Sequence, residues 1–163
     1  TQNNGKKEYA MAFAGTYLEN TSRGRDSVSE DFEQPFGGSE HMKLALRDSD
    51  SVNKKLIKSE LTFIGHSKGG GEAAGAAIQS KTRDAILFNP AAIFANKYGL
   101  NTSKYKGSMK AFVVEGDPLN RYINNWLLNT QPIGTREMLP TQFDNPIDNH
   151  SIGACISALK GRQ

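Results

Sequence analysis

The sequence predicts an α/β fold, a small and mainly parallel sheet with helices on both of its faces. Two observations carry this reading. Four short, mostly apolar runs recur along the chain, each closed within two residues by glycine or proline. Between them lie stretches of helical spacing or composition, so strand and helix alternate as they do in a covered parallel sheet.

Glu8 to Phe13 (EYAMAF) reads as the first strand and runs into Ala14-Gly15-Thr16. Residues 17–38 carry many charged and small polar residues and end in Pro35-Phe36-Gly37-Gly38, which reads as an irregular surface excursion. With Phe32 and Phe36 it is also the only candidate for a lid. Ser39 followed by Glu40 opens a helix whose apolar face is supplied by Met42, Leu44, Ala45, Leu46, Val52, Leu56 and Ile57. The polar run Asp48-Ser49-Asp50-Ser51 predicts a break or kink in it. Leu61 to Ile64 is the second strand, and Glu72 to Ser80 an alanine-rich helix after a set of glycines. Asp84 to Phe88 and Met109 to Val114 are the third and fourth strands. Asn120 to Asn129 has helical character and Gln131 to Asn149 reads as a proline-containing loop. Ser151 to Lys160 closes the chain as a helix with Ile152, Cys155, Ile156 and Leu159 on one face.

The totals narrow the function classes. A length of 163 residues with 37% hydrophobic content suits one domain, residues 1–163, with a single core. The formal charge is only +3, and the lysines and arginines are scattered with no run of five, which argues against a nucleic-acid partner. One cysteine, Cys155, excludes an intramolecular disulfide and a cysteine metal cluster, and its apolar neighbours make it a packing residue. No apolar run approaches the roughly 18 residues of a membrane span, and the N-terminus lacks a signal-peptide core. Because the chain starts at Thr1 rather than methionine, it is expected to be one domain of a longer protein. Aspartates 26, 31, 144 and 148 are scattered as solvated surface acids are, so no metal and no cofactor are expected.

The chemistry concentrates where the second strand meets the glycines. Gly65-His66-Ser67-Lys68-Gly69 fits G-x-S-x-G, the nucleophile elbow, in which a serine stands on a strand-to-helix turn too tight for side chains two residues away. The following helix start aims N–H groups and a partial positive charge at an anion forming beside Ser67. A phosphate loop is the rival reading, but G-x-x-x-x-G-K-[S/T] is absent.

A serine nucleophile needs a base held by an acid, in the chain order Ser, Asp or Glu, His. Of three histidines, His66 lies inside the elbow and points away from the serine hydroxyl, and His41 precedes it on a solvated helix face. His150 follows every strand and precedes the last helix, where the base belongs. Asp117 follows the fourth strand, 50 residues after Ser67 and 33 before His150, with Asp144, Asp148 and Glu115 as rivals. The N–H of Lys68 is one oxyanion donor, and the loop Ala14-Gly15-Thr16 after the first strand should supply the second.

FAGT at 13–16 with GHSKGG at 65–70 resembles the class 3 lipases. AILFNPAAI at 85–93, VEGDPLN at 114–120, IGTREMLP at 133–140 and NHSIGACISAL at 149–159 look like lipase-type effector domains of bacterial secretion systems and polymorphic toxins. The resemblance spans residues 8–160. It implies a minimal α/β-hydrolase-like three-layer sandwich, with Ser67 as nucleophile, Asp117 as acid, His150 as base, and oxyanion N–H groups at Thr16 and Lys68. It also implies a glycerolipid or phospholipid ester as substrate at a membrane surface, and a cognate immunity protein as partner. The protein would then be cytoplasmic in its producer and delivered without a signal peptide to the target-cell membrane. A soluble carboxylesterase or acyltransferase is the alternative enzyme, and a non-catalytic binding module on a hydrolase fold the alternative of another class.

Overall fold

The computed structural model describes residues 2–3, 6–15, 40–121 and 133–162. Strand β1 (Gln2–Asn3) pairs antiparallel with β2 (Lys6–Phe13). From there β3 (Glu60–His66), β4 (Asp84–Phe88), β5 (Met109–Val114) and β6 (Thr135–Leu139) follow in chain order, each parallel to the one before. Their C-terminal ends therefore share one edge, the place where loops of an open α/β sheet assemble a site.

The register sorts the side chains by face. Met11, Phe63, Ala85 and Met109 lie in one row, and Leu87 and Ala111 in the next, all on the same side. Helices α1 (Glu40–Lys55) and α2 (Lys68–Ser80) cover that side. Every residue of α2 from Gly69 to Ile78 is buried, because the helix is wedged between the sheet and α1. Its small side chains permit this: a Cβ on Gly75 would stand 3.1 Å from Met42 Sδ and 3.4 Å from Leu46 Cδ2. On the opposite side, stacked Phe88 and Phe112 join Val114 and Leu139 beneath α4 (Ile152–Lys160), which contributes Ala154, Cys155 and Ala158. The result is a three-layer α/β sandwich.

Four expectations change. Helix α1 is unbroken through Asp48-Ser49-Asp50-Ser51, because the polar groups are satisfied within the helix. Ser49 Oγ donates to the Leu46 carbonyl at 3.0 Å, Ser51 Oγ to that of Arg47 at 3.1 Å, and Lys54 pairs with Asp50 at 2.6 Å. Helix α2 starts at Lys68, so the glycines belong to its first turn. The segment expected as a loop over 131–149 contains β6, an edge strand with only Leu139 buried, and the short α3 (Pro146–Asn149). Asn145 caps α3 by accepting from the Ile147 N–H, and Pro146 occupies its first turn. In α4 the buried stripe is Ala154, Cys155 and Ala158, whereas Ile152 and Ile156 are exposed. The excursion over 17–38, Thr16 and most of the helix expected over 120–129 lie outside the described residues.

Candidate active site

Strand β3 delivers Ser67 to the shared edge in a strained conformation, φ 56° and ψ −126°, which an L-residue adopts only when its surroundings impose it. The imposition is visible in its hydrogen bonds. The Ser67 N–H donates to the Phe88 carbonyl at 3.1 Å, while its own carbonyl accepts from Gly70 N and Ala91 N, both at 2.9 Å. The turn is also closed sterically. A Cβ on Gly65 would stand 2.0 Å from the Gly69 carbonyl oxygen, and one on Gly69 would stand 2.3 Å from that of Phe13. Only glycine permits strand and helix to approach this closely, so the two fixed glycines of G-x-S-x-G have a direct physical cause.

Asp117 and His150 reach the same edge from β5 and from the end of α3. His150 Nε2 lies 2.8 Å from Ser67 Oγ, and His150 Nδ1 lies 2.5 Å from Asp117 Oδ1. All three side chains are nearly or fully buried. Asp117 Oδ2 accepts from the Asn120 backbone N–H at 2.9 Å and from Asn120 Nδ2 at 2.6 Å. Both oxygens of the acid are thus engaged and its rotamer is fixed. With Nδ1–H donated to the carboxylate, Nε2 is bare and can accept the serine proton.

The rivals are placed elsewhere. Asp144, Asp148 and Glu115 are exposed, as is His41 on α1. Of the first N–H groups of α2, those of Gly70 and Gly71 donate to the Ser67 carbonyl, while that of Lys68, the first helical residue, has no acceptor within the helix. Thr16 is outside the described residues. Gly15 before it runs against the elbow: a Cβ there would stand 2.7 Å from the His66 carbonyl oxygen and 3.5 Å from Ser67 Cβ.

Sequence reasoning missed an inner ring of polar support. Asn89, fully buried with φ 39°, donates from Nδ2 to the carbonyls of Asn149 (2.9 Å) and His150 (3.2 Å), and its Oδ1 accepts from the Val114 N–H. Asn149 in turn accepts at Oδ1 from the N–H groups of Gln142 and Phe143 and donates to the Phe143 carbonyl. His66 is half-buried, and its Nε2 lies 2.6 Å from the His150 carbonyl oxygen. Burial pushes the His66 imidazole below its ordinary range, opposed in part by that bond. Cys155 packs behind the site, where burial raises its thiol to about 12 and keeps it protonated and unreactive.

The Ser67 hydroxyl, the His150 imidazole and the Asp117 carboxylate thus meet at the C-terminal edge of the sheet of an α/β sandwich. The sequence matches the model of the Phospholipase-like family, a Tle-like phospholipase domain, over residues 1–148, and the chain belongs to that family. The match ends two residues before His150. A solved structure, RedJ with a PEG molecule bound in the active site, is similar with a TM-score of 0.49 at 13% identity, covering 97% of this chain and 90% of that one. No curated protein matches the sequence.

Proposed function

We propose that the chain is a serine phospholipase that cleaves acyl esters of membrane glycerolipids. One observation carries the reading: the buried, hydrogen-bonded line from Asp117 Oδ1 through His150 to Ser67 Oγ, in a chain of the Phospholipase-like family. Ser67 Oγ attacks the acyl carbonyl carbon while His150 Nε2 takes the hydroxyl proton. Asp117 stabilises the imidazolium through Nδ1–H. The tetrahedral oxyanion is held by the Lys68 N–H and by the N–H that follows Gly15, that of Thr16. His150 then returns the proton to the departing alcohol, and a water deprotonated by His150 hydrolyses the acyl-enzyme. This chemistry asks for no cofactor.

The Tle-like character of the family supports a wider role: an antibacterial effector made in the producer's cytoplasm, delivered without a signal peptide to a target-cell membrane, and neutralised by a cognate immunity protein. This reading takes residues 1–163 as one domain of a longer protein.

The test compares wild type with Ser67→Ala on phospholipid vesicles and on a short soluble ester, following released acid. Vesicle hydrolysis that falls on the order of 10⁴–10⁶-fold in a variant with unchanged melting is the expected result. Ser67→Ala retaining full activity would overturn the triad. Turnover of the soluble ester alone would redirect the assignment to a carboxylesterase. Expressed in a bacterial periplasm, the same pair should differ in toxicity, with growth arrest only when Ser67 is present.

A further inference from the structure

We infer that His66 is a positioning residue for the base: its Nε2–H anchors the main-chain carbonyl of His150 and sets the direction in which that imidazole faces Ser67. The inference rests on the Ser67–His150–Asp117 reading above and names a residue outside that triad.

His150 needs such an anchor because of where it stands. It caps the C-terminus of α3, a helix of four residues and too short to hold a side chain in place by itself. Its segment is tied internally by Asn149, and besides the imidazole contact with Asp117 its main-chain carbonyls meet side chains at the ends of β3 and β4. Asn89 reaches the carbonyls of Asn149 and His150, and His66 reaches that of His150 at 2.6 Å. The His150 carbonyl therefore accepts two hydrogen bonds, one from each strand.

A carbonyl oxygen only accepts, so the His66 nitrogen facing it must carry a proton. Neutral His66 is accordingly the Nε2–H tautomer with Nδ1 bare. His150 requires the opposite tautomer, Nδ1–H toward Asp117 and Nε2 bare toward Ser67. Two histidines whose ring centres lie 5.1 Å apart are thus held in complementary tautomers. Chain connectivity adds the functional link. His66 and Ser67 are consecutive, so one turn at the end of β3 presents the nucleophile and, through the neighbouring side chain, grips the backbone of the base. The link between the two reacting groups thus runs through one side chain and one hydrogen bond.

Two substitutions separate the hydrogen bond from the bulk. His66→Gln keeps a donor at similar reach; His66→Phe keeps a ring and removes the donor. We expect His66→Phe to lower kcat by about 10–100-fold with little change in KM, and His66→Gln to stay within about threefold of wild type, since a small misplacement of a reacting group is costly. Nitrogen NMR of the wild type should show His66 protonated at Nε2 and not at Nδ1. The low-field proton of His150 Nδ1–H should persist in His66→Gln and be lost in His66→Phe. A His66 protonated at Nδ1 alone would overturn the inference, as would a His66→Phe enzyme with wild-type kcat, or equal impairment of both variants. If His66→Phe does not fold, the wild-type tautomer decides the matter. Activity surviving Ser67→Ala would instead defeat the triad reading, and the His66 tautomer would still be scored separately.

Discussion

Asp117 shows how much depends on a single orientation. Its Oδ2 takes two donors from Asn120, which leaves Oδ1 for His150 Nδ1. An asparagine at 117 has one acceptor oxygen where three donors converge. If that oxygen stays with Asn120, the new amide faces His150 Nδ1 as a donor, and the imidazole must move its proton to Nε2, where Ser67 needs a base. Asp117→Asn should therefore lower kcat by roughly 10⁴-fold while leaving the melting temperature and lipid binding nearly unchanged. A variant losing less than tenfold would show that the acid is not needed to set the tautomer. The three triad candidates could be picked from the sequence because their roles attach to residue type and order: a serine between glycines, an aspartate after a strand, the last histidine. Asn89, Asn120, Asn149 and the part played by His66 could not. Their side chains meet backbone carbonyls and N–H groups and, for Asn120, the Asp117 carboxylate, and no spacing in the chain announces which group an amide will meet once the strands are side by side.

At the scale of elements, strands β3 to β5 were legible because each is an apolar run buried on one face, and β2 because its run EYAMAF is apolar although Met11 and Phe13 are only half-buried. Strand β6 was not: Thr135, Arg136 and Met138 are exposed, and a charged edge strand looks like a loop until its partner is known. Helix α2 hid its start for a related reason, since its first-turn glycines are set by backbone crowding rather than by helix propensity. The same helix carries an untypical buried acid. Glu72 is only 8% exposed, beside a cavity of about 10 Å³ that it lines with Met42, Lys68 and Ile93. Burial holds its carboxyl above the ordinary value, with Lys68 opposing. The folded state thus binds the Glu72 proton more tightly than the unfolded state does. Stability linked to this group is present below the unfolded carboxyl value and is lost as pH rises toward the folded one. Glu72→Gln should melt a few degrees above wild type at pH 7, with the difference shrinking as pH falls toward about 4. A difference that stays constant across that range would mean that Glu72 ionisation does not limit stability.

Among the described residues, the two faces of the sheet are unequally loaded, and the unequal loading explains where the site can be both strained and stable. The α1/α2 side packs Phe63, Leu87 and Ala111 with no exposure, directly beneath the strands whose ends carry Ser67, Asn89 and Asp117. On the other side α4 covers β5 and β6, while Ile64 and Ile86 are only half-buried beside a groove of about 360 Å³ that also meets Glu8, Ala10 and Thr62. Adjacent residues on β4 therefore sample the two environments with one strand's backbone held constant. Leu87→Ala should cost about 2–5 kcal/mol, because the cavity it leaves is closed on all sides. Ile86→Ala should cost less than about half of that, since part of its surface already faces water and the site can relax. Urea unfolding at fixed pH reads both values from the shift in midpoint at constant slope. Equal losses would mean that the Ile86 face is packed as tightly as the helical one, and that the strain at Ser67 is braced from both sides of the sheet rather than from the α2 side alone.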